Sequence, residues 1–369
     1  MARRRGRLGQ LRRHDAQAPD RGRRRLTPSP VNVALVGFGY AGRTFHAPLI
    51  SACAGLNLHT VVTSQAEALA AAWPEARPVP GLDDALADPA VGLVVIATPN
   101  ALHAPQARAA LEAGKAVVID KPFALDLAEA RSIANLAGAR GLFLSVFHNR
   151  RWDADFLALK AELAGGRLGA VHAFESHFDR FRPEVRDRWR ERDEPGSGVW
   201  HDLGPHLIDQ ALVLFGRPLG VTCDLAVLRE GGRAVDWAHA VLRYADRRII
   251  LHADMTTPAP GPRFAVHGAR AGWIKSGLDV QEDQLKAGPP VGGPGWGVDP
   301  SPGVRVDGGT GAREPVPGPP GDYRAFYDAV AAALSEGAPN PVPPEQALAV
   351  MELLEAGIES DRRRADVAL

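Results

Sequence analysis

Residues 31–42, VNVALVGFGYAG, decide the fold of this chain. Val31, Val33, Ala34, Leu35 and Val36 read as a buried strand, and they run directly into Gly37-x-Gly39-x-x-Gly42. A helix-compatible segment, 43–52, follows. A dinucleotide pyrophosphate needs a backbone turn free of side chains, backed by the positive end of a helix. Gly37 permits the tight turn, Gly39 the close approach of phosphate, and Gly42 the packing of helix on strand. The whole turn, with Phe38, Tyr40 and Ala41 between the glycines, is the expected cofactor cradle. A GxGxxG alone is also compatible with an accidental loop. Its place at a strand-to-helix junction is what favours the nucleotide reading.

Outward from this turn, the pattern alternates strand and helix as far as residue 148. Strands are expected at 56–64, 91–98, 116–120 and 141–147, and helices at 67–73, 83–86, 101–113 and 127–139. Near-continuous Val/Ile/Leu strands separated by helices imply a doubly wound parallel sheet covered on both faces, an α/β Rossmann domain over 31–148. The second half differs. A helix at 153–163 leads to an alternating run at 170–180, an arginine-rich connection and a helix around 205–215. Alternating runs follow at 221–228, 236–244, 248–255, 263–267 and 272–275. Consecutive strands without helices between them imply an α+β domain, 149–360, with a largely antiparallel open sheet. Residues 288–321, dense in Gly and Pro, read as a long irregular and mobile loop with Trp296 as its one large anchor. Helices are expected at 323–334 and 344–360, and 361–369 as a tail.

The 369 residues carry 43 basic and 43 acidic side chains, unevenly spread. Residues 1–25 hold ten arginines against Asp15 and Asp20, so this segment is +8 and the rest −8. It lacks an apolar core and reads as a disordered Arg-rich tail, 1–30, from an early start in a GC-biased gene rather than as a secretory signal. An acidic body argues against nucleic-acid binding, and no apolar run is long enough to span a membrane. Cys53 and Cys223 form neither a disulfide framework nor a metal cluster and read as core residues. The expected compartment is the cytoplasm.

Two further segments suggest chemistry. Asp120-Lys121-Pro122 closes a parallel strand at its carboxyl end, where ligands of such sheets bind. A lysine there can hold a substrate hydroxyl and share its proton, although a solvated surface lysine explains an isolated Lys-Pro equally. In GSGVWHDLGPHLIDQ (196–210), Asp202 and His206 lie one turn apart where a helix begins, above an apolar stripe of Leu203, Leu207, Ala211 and Leu214. Histidine has the range to accept an alcohol proton near neutrality; a capping aspartate beside a structural histidine is the alternative.

Together these segments resemble the glucose-fructose oxidoreductase/inositol dehydrogenase (Gfo/Idh/MocA) superfamily over nearly all of 31–360. The resemblance includes the glycine turn, Thr98-Pro99-Asn100-x-x-His103, Lys121-Pro122 and Asp202-x-x-x-His206. Within it, FHNRRWDADF (147–156), DLGPHLIDQ (202–210) and GLDVQED (277–283) are similar to the branch containing NADP-dependent scyllo-inositol dehydrogenases. The resemblance implies a catalytic triad of Lys121, Asp202 and His206 and a cis Lys121–Pro122 bond. It places Thr98, Pro99, Asn100, His103 and Lys121 beside the cofactor. The usual Glu-Lys-Pro is here Asp-Lys-Pro, one methylene shorter at Asp120. It also implies dimerisation or higher homo-oligomerisation through the open sheet face, and hydride transfer between nicotinamide and a secondary hydroxyl of a polyol or sugar. His206 would take the hydroxyl proton, Asp202 would orient His206, and Lys121 would polarise the reacting oxygen. Reduction of a non-sugar carbonyl or a dihydrodiol is the alternative reaction, and a catalytically silent NAD(P)-binding regulator the alternative class.

Cofactor choice rests on the end of the second strand. NAD enzymes usually place a carboxylate there for the ribose 2′-hydroxyl, whereas this chain has Thr63-Ser64-Gln65. Hydroxyls at Thr63 and Ser64 and the nearby Arg43 favour NADP over NAD. Asn149, Arg150, Arg151 and Trp152 enter the cleft after the last Rossmann strand and are candidates for a polyhydroxylated substrate, or else a packing and salt-bridge cluster. Asp179 and Trp189 border the far side. His201, Asp202 and His206 form the only tight group of possible metal ligands seen in the sequence, and hydride transfer employs two of them, so no catalytic metal is expected.

Overall fold

The structure is a computed structural model that describes residues 29–288 and 290–369; most of the Arg-rich segment, 1–28, lies outside the described residues. Six parallel strands make the first sheet: β1 (Val31–Val36), β2 (Leu56–Val62), β3 (Arg77–Val79), β4 (Val91–Ile96), β5 (Ala116–Asp120) and β6 (Leu144–Phe147). Their spatial order is β3-β2-β1-β4-β5-β6, the doubly wound dinucleotide-binding order. Leu35, Val94, Val95, Val118 and Ile119 are wholly buried, as strands covered on both faces require. The helices between are α1 (Ala47–Ser51), α2 (Ala66–Ala72), α3 (Leu82–Leu86), α4 (His103–Glu112) and α5 (Leu127–Arg140). Two features differ from the sequence expectation. Strand β3, three residues with Pro78 inside, pairs only with β2, an edge place where a missing N–H costs nothing. The turn of helix at Gly42–His46 is wide, of π type, before α1 takes over.

The second half builds a nine-stranded sheet from β7 (Val171–Asp179), β8 (Gly220–Ala226), β9 (Trp237–Arg243), β10 (Arg248–Asp254), β11 (Phe264–Gly268), β12 (Ala271–Lys275), β13 (Gly303–Asp307), β14 (Arg313–Val316) and β15 (Val367–Ala368). Every pairing is antiparallel except β7 with β10. Its helices are α6 (Ala154–Ala164), α7 (Gly198–Phe215), α8 (Gln281–Ala287), α9 (Arg324–Glu336) and α10 (Pro344–Arg363). Helix α7 packs on β7, β9 and β10, and α10 packs on both α7 and α5, tying the second domain to the first. The opposite face of the central strands carries polar residues, so Glu175, His177 and Asp179 alternate with the buried Phe174, Ser176 and Phe178.

Three expectations are corrected here. Residues 288–321 are not one irregular loop: β13 and β14 form a hairpin that extends the sheet, and Trp296 is buried. The alternation in GVRVD was hidden by its Gly/Pro flanks, and Pro315 is tolerated because β14 is an edge strand. Residues 361–369 are no tail either, since α10 runs to Arg363 and β15 pairs with β8. Finally, α7 begins at Gly198 rather than near Pro205, with Trp200 donating its indole N–H to the Leu354 carbonyl at 3.0 Å. Asp202 is therefore inside the helix and not its cap.

Cys53 and Cys223 are free and buried, and burial pushes both thiols up to about 12. No helix among the described residues is long and apolar enough to cross a membrane.

Candidate active site

Gly37 adopts φ +99°, and a Cβ there would lie 2.7 Å from the Ala97 carbonyl oxygen. A Cβ on Gly42 would collide with the Gly37 carbonyl, whereas one on Gly39 would meet nothing within 4 Å. The turn is thus closed against itself at two glycines and open to a ligand at the third, the cradle a pyrophosphate requires. Phe38 is buried against Trp73, and Tyr40 is exposed. At the end of β2, Thr63 Oγ1 accepts the Gln65 backbone N–H at 2.9 Å and Ser64 is exposed. Arg43, on the turn of helix after the glycines, is also exposed, and the residues that follow β2 carry hydroxyls and no carboxylate.

Lys121 and Pro122 are joined by a cis peptide bond. The buried His103 lies between two carbonyls, Nδ1 at 2.8 Å from Pro122 O and Nε2 at 2.9 Å from Thr98 O. It locks the two loops together rather than facing a ligand. Asn100 is likewise committed, donating to Gly196 O at 3.1 Å in the segment before α7. Thr98 donates to Gln106 at 2.7 Å. These three residues set the shape of the cofactor side.

Lys121 reaches across from the first domain to the second. Its Nζ donates to Asp202 O at 2.7 Å and to Asp202 Oδ1 at 3.0 Å. An ammonium has three donors, so one remains for a ligand. Burial would raise the Asp202 carboxyl, but the charges of Lys121, Arg190 and Arg180 outweigh it and hold the group well below the usual carboxylate range. Arg190 Nε lies 3.5 Å from Asp202 Oδ1, and its guanidinium stacks on Trp189. His206, one turn along α7, is 6 % exposed, and its Nδ1 has no hydrogen-bond partner. Burial, then the charges of Lys121 and Arg150, push it well below its ordinary range, so it is neutral. The expected role of Asp202 as the orienting partner of His206 is not what the geometry shows: Asp202 grips the lysine.

The segment after β6 also departs from expectation. Arg151 forms a forked pair with Asp209, its Nη2 2.6 Å from Oδ1 and its Nε 2.9 Å from Oδ2, and Nη1 reaches Pro341 O and Gln346. Trp152 packs edge-on against Phe326. Both are struts between elements. Asn149 is buried at the same turn. Arg150 donates to Asp153 at 3.1 Å and Glu282 at 3.3 Å and lies over the Phe178 ring, 5.1 Å from its centroid. Phe178 in turn neighbours the His206 ring at 6.3 Å. Tyr40 of the glycine turn donates to Glu282 at 2.8 Å. A continuous chain therefore runs from Tyr40 through Glu282 and Arg150 to the ring beside His206, and nothing in sequence spacing announces it.

Two histidines were missed. His148, at the end of β6, is buried and pushed down to about 4 by burial, with further influence from Asp209, Arg151 and Lys121. His46, behind the glycine turn, hydrogen-bonds to Tyr327 OH at 2.6 Å and stands 3.6 Å from Asp120 Oδ2. Asp120 Oδ1 accepts the Lys121 backbone N–H at 2.7 Å. His148 follows a largely apolar run, the ordinary setting of a core histidine. Asp179 points to the other face of its strand from Phe178 and lines no part of this cleft.

The chain is similar to known proteins over nearly all of its length. The sequence model described as "Oxidoreductase family, NAD-binding Rossmann fold" matches residues 31–148, and the one described as "Oxidoreductase family, C-terminal alpha/beta domain" matches 160–369. The uncharacterized oxidoreductase YdgJ of Escherichia coli is 51 % identical over 92 % of this chain and 99 % of its own. The NADP-dependent scyllo-inositol 2-dehydrogenase IolW of Bacillus subtilis is 35 % identical over 95 % of this chain and 98 % of its own. Among solved structures, the YPO2259 oxidoreductase of Yersinia pestis superposes with a TM-score of 0.89 at 47 % identity, covering 93 % of this chain and 98 % of that one. With family models matching both halves, this chain belongs to the Gfo/Idh/MocA oxidoreductase family.

Proposed function

We infer that this protein transfers a hydride between NADP and a secondary hydroxyl or carbonyl of a polyol or sugar, an inositol-like ring being the first choice. The observation that carries the reading is the bridge of Lys121 to Asp202 across the domain boundary, with the unpartnered Nδ1 of His206 one helical turn away. The nicotinamide supplies the hydride chemistry when bound; the chain supplies position and proton handling. The free donor of Lys121 holds the substrate oxygen and stabilises negative charge as it develops there. Neutral His206 takes the hydroxyl proton in the oxidising direction and returns it in the reducing one. Asp202 is ionised and keeps Lys121 aimed. Because Arg151 and Trp152 are committed to packing, the substrate-facing part of the tentative set narrows to Asn149 and Arg150, with Lys121 and His206 opposite.

Support for NADP over NAD comes from Thr63, Ser64 and Arg43 near the cradle and from the NADP dependence of IolW. The inositol-like substrate draws on IolW and on the Inositol 2-dehydrogenase of Rhizobium meliloti, 31 % identical over 65 % of this chain. Buried free cysteines suit a reducing cytoplasm, and a homodimer through the open sheet face follows the family resemblance. The test is turnover of inositols, aldoses and their keto forms with both cofactors, after exhaustive chelation. NADP-linked turnover of a ring polyol that vanishes in His206→Ala supports the reading. Stoichiometric NADP binding without turnover of any alcohol or carbonyl overturns it in favour of a regulatory protein.

A further inference from the structure

Three histidines stand in one row across the open face of the second sheet, on β7, β10 and β9. The strand register sets His252 beside His177 on one side and beside His239 on the other. The ring centroids are 5.3 Å apart for His177–His252 and 5.4 Å for His239–His252. One ligand atom from each of His177, Asp179 and His252 lies within 4.8 Å of the other two.

The surroundings fix which nitrogens are free. Asp254 is nearly inaccessible and accepts from Thr256 N, Thr257 N and Thr257 Oγ1 at 3.0, 3.1 and 2.6 Å. His252 Nε2 lies 3.1 Å from its Oδ2 and must carry the proton, which leaves Nδ1 as a lone pair. His177 Nε2 faces Glu175 at 3.3 Å in the same way, and its Nδ1 lies 3.4 Å from Asp179 Oδ1. That carboxylate oxygen is buried and has no hydrogen-bond partner. His239 Nδ1 sits 3.4 Å from His252 Nδ1. Two donors on one tetrahedral ion with bonds of about 2.0–2.1 Å are separated by about 3.4 Å. A carboxylate behind each ligating imidazole is the outer arrangement that metal-binding histidines use. In the single chain the side chains of His177 and His252 are 22 % and 12 % exposed.

We propose that His177, Asp179 and His252, with His239 beside them, bind a divalent transition ion of the zinc class on the open face of the second sheet. Imidazole with one carboxylate suits Zn, Co, Ni or Cu rather than Mg or Ca. The site is not catalytic: Phe178, between His177 and Asp179 on β7, points through the sheet towards His206, so the two sites lie on opposite faces. The competing state is a histidinium at His177 clamped between Glu175 and Asp179, which needs no ion.

The test is equilibrium dialysis of the chelator-stripped full chain with Zn2+, with Co2+ absorption as the readout of coordination. One ion per chain with the absorption of a tetrahedral Co2+ site is expected. His177→Gln and His252→Gln should weaken retention at least a hundredfold, and Glu175→Gln about tenfold, the outer-residue effect. Asp179→Asn, nearly isosteric, guards against loss by misfolding and should also release the ion. Thermal melting and NADP binding should stay as in the parent for each variant. Failure to retain an ion stoichiometrically, or retention unchanged in His252→Gln and Asp179→Asn, overturns the proposal.

Discussion

The glycine turn and the Lys121–Asp202–His206 cluster are the two parts of the candidate site, and they are made of different materials. The turn is backbone: Gly37 and Gly42 close on one another, and Gly39 leaves the opening. All of it comes from one strand-to-helix junction. The cluster is side chains, with Lys121 from the end of β5 and Asp202 and His206 from a helix some eighty residues later. A backbone site tolerates no added atom but needs no partner. A side-chain site needs a second element to aim it, which here is Asp202 gripping Lys121. The two should therefore fail differently when altered.

The largest expected effect separates chemistry from binding. Lys121→Met keeps the stem and removes the donor. It should lower kcat for polyol oxidation about a thousandfold, within the range for a positioned proton-handling group. NADP affinity by fluorescence titration should stay within a factor of about three. A loss of affinity as large as the loss of rate would merge the two regions into one. His206→Ala should match Lys121→Met in rate, and the double variant should fall little further, since groups acting as a unit are not additive.

Arg151→Met tests the reassignment of that residue from substrate to scaffold. It leaves Asp209, which is 3 % exposed, as an uncompensated buried charge, so unfolding in urea should show a loss of about 3–5 kcal/mol. The KM of any protein that folds should be unchanged. A variant of normal stability with a raised KM would return Arg151 to the substrate.

Gly42→Ala places a Cβ against the Gly37 carbonyl. NADP affinity should weaken about a hundredfold, with a rate at saturation near that of the parent, the mirror image of Lys121→Met. Normal affinity would show that the turn relaxes and that the cradle is less fixed than its glycines imply.

The same contrast explains what was legible in the sequence. A backbone site is local, so a dozen residues carried the turn, the β1–α1 junction and hence the whole doubly wound sheet. Lys121, Asp202 and His206 stand out in the sequence because each sits in a short motif, but the structure gives Asp202 a different partner from the one expected. Spacing along a helix suggested His206, whereas the lysine that Asp202 holds is far away in sequence. The Tyr40–Glu282–Arg150 chain and the His177–His252–His239 row were invisible for the same reason: strand register and domain packing bring them together. The hairpin within 288–321 was masked because Gly and Pro report turns more strongly than five alternating residues report an edge strand.

Activity against pH probes the charge environment of the cluster. His206 acts as a base only when neutral, and burial with nearby cations lowers its proton affinity. Its active form therefore exists above its own pKa and is lost as pH falls through it. Asp202 is held well below the usual carboxylate range by Lys121, Arg190 and Arg180 and stays ionised near neutrality. The profile of kcat/KM for oxidation should be flat through neutrality, with its acid limb below pH of about 6.5, the ordinary histidine range. Arg150→Met removes one of the cations acting on His206 and should move that limb upwards. An acid limb above 7 in the parent would mean that substrate-free His206 is not the base.

The smallest effect concerns the open end of the glycine turn, where backbone gives way to side chains. Arg43 is exposed and has no carboxylate partner among the described residues. A cation–phosphate contact at such a solvent-reached site contributes on the order of 1 kcal/mol, screened by salt. Arg43→Ala should weaken NADP about five- to tenfold at low ionic strength and leave NAD unchanged, because only NADP carries the 2′-phosphate. Raising the salt should narrow the difference between parent and variant. Ser64→Asp adds a carboxylate where NAD enzymes keep one, and should invert the preference by repelling that phosphate. A parent that already uses NAD ten times more efficiently than NADP would instead assign the hydroxyls of Thr63 and Ser64 to the plain ribose.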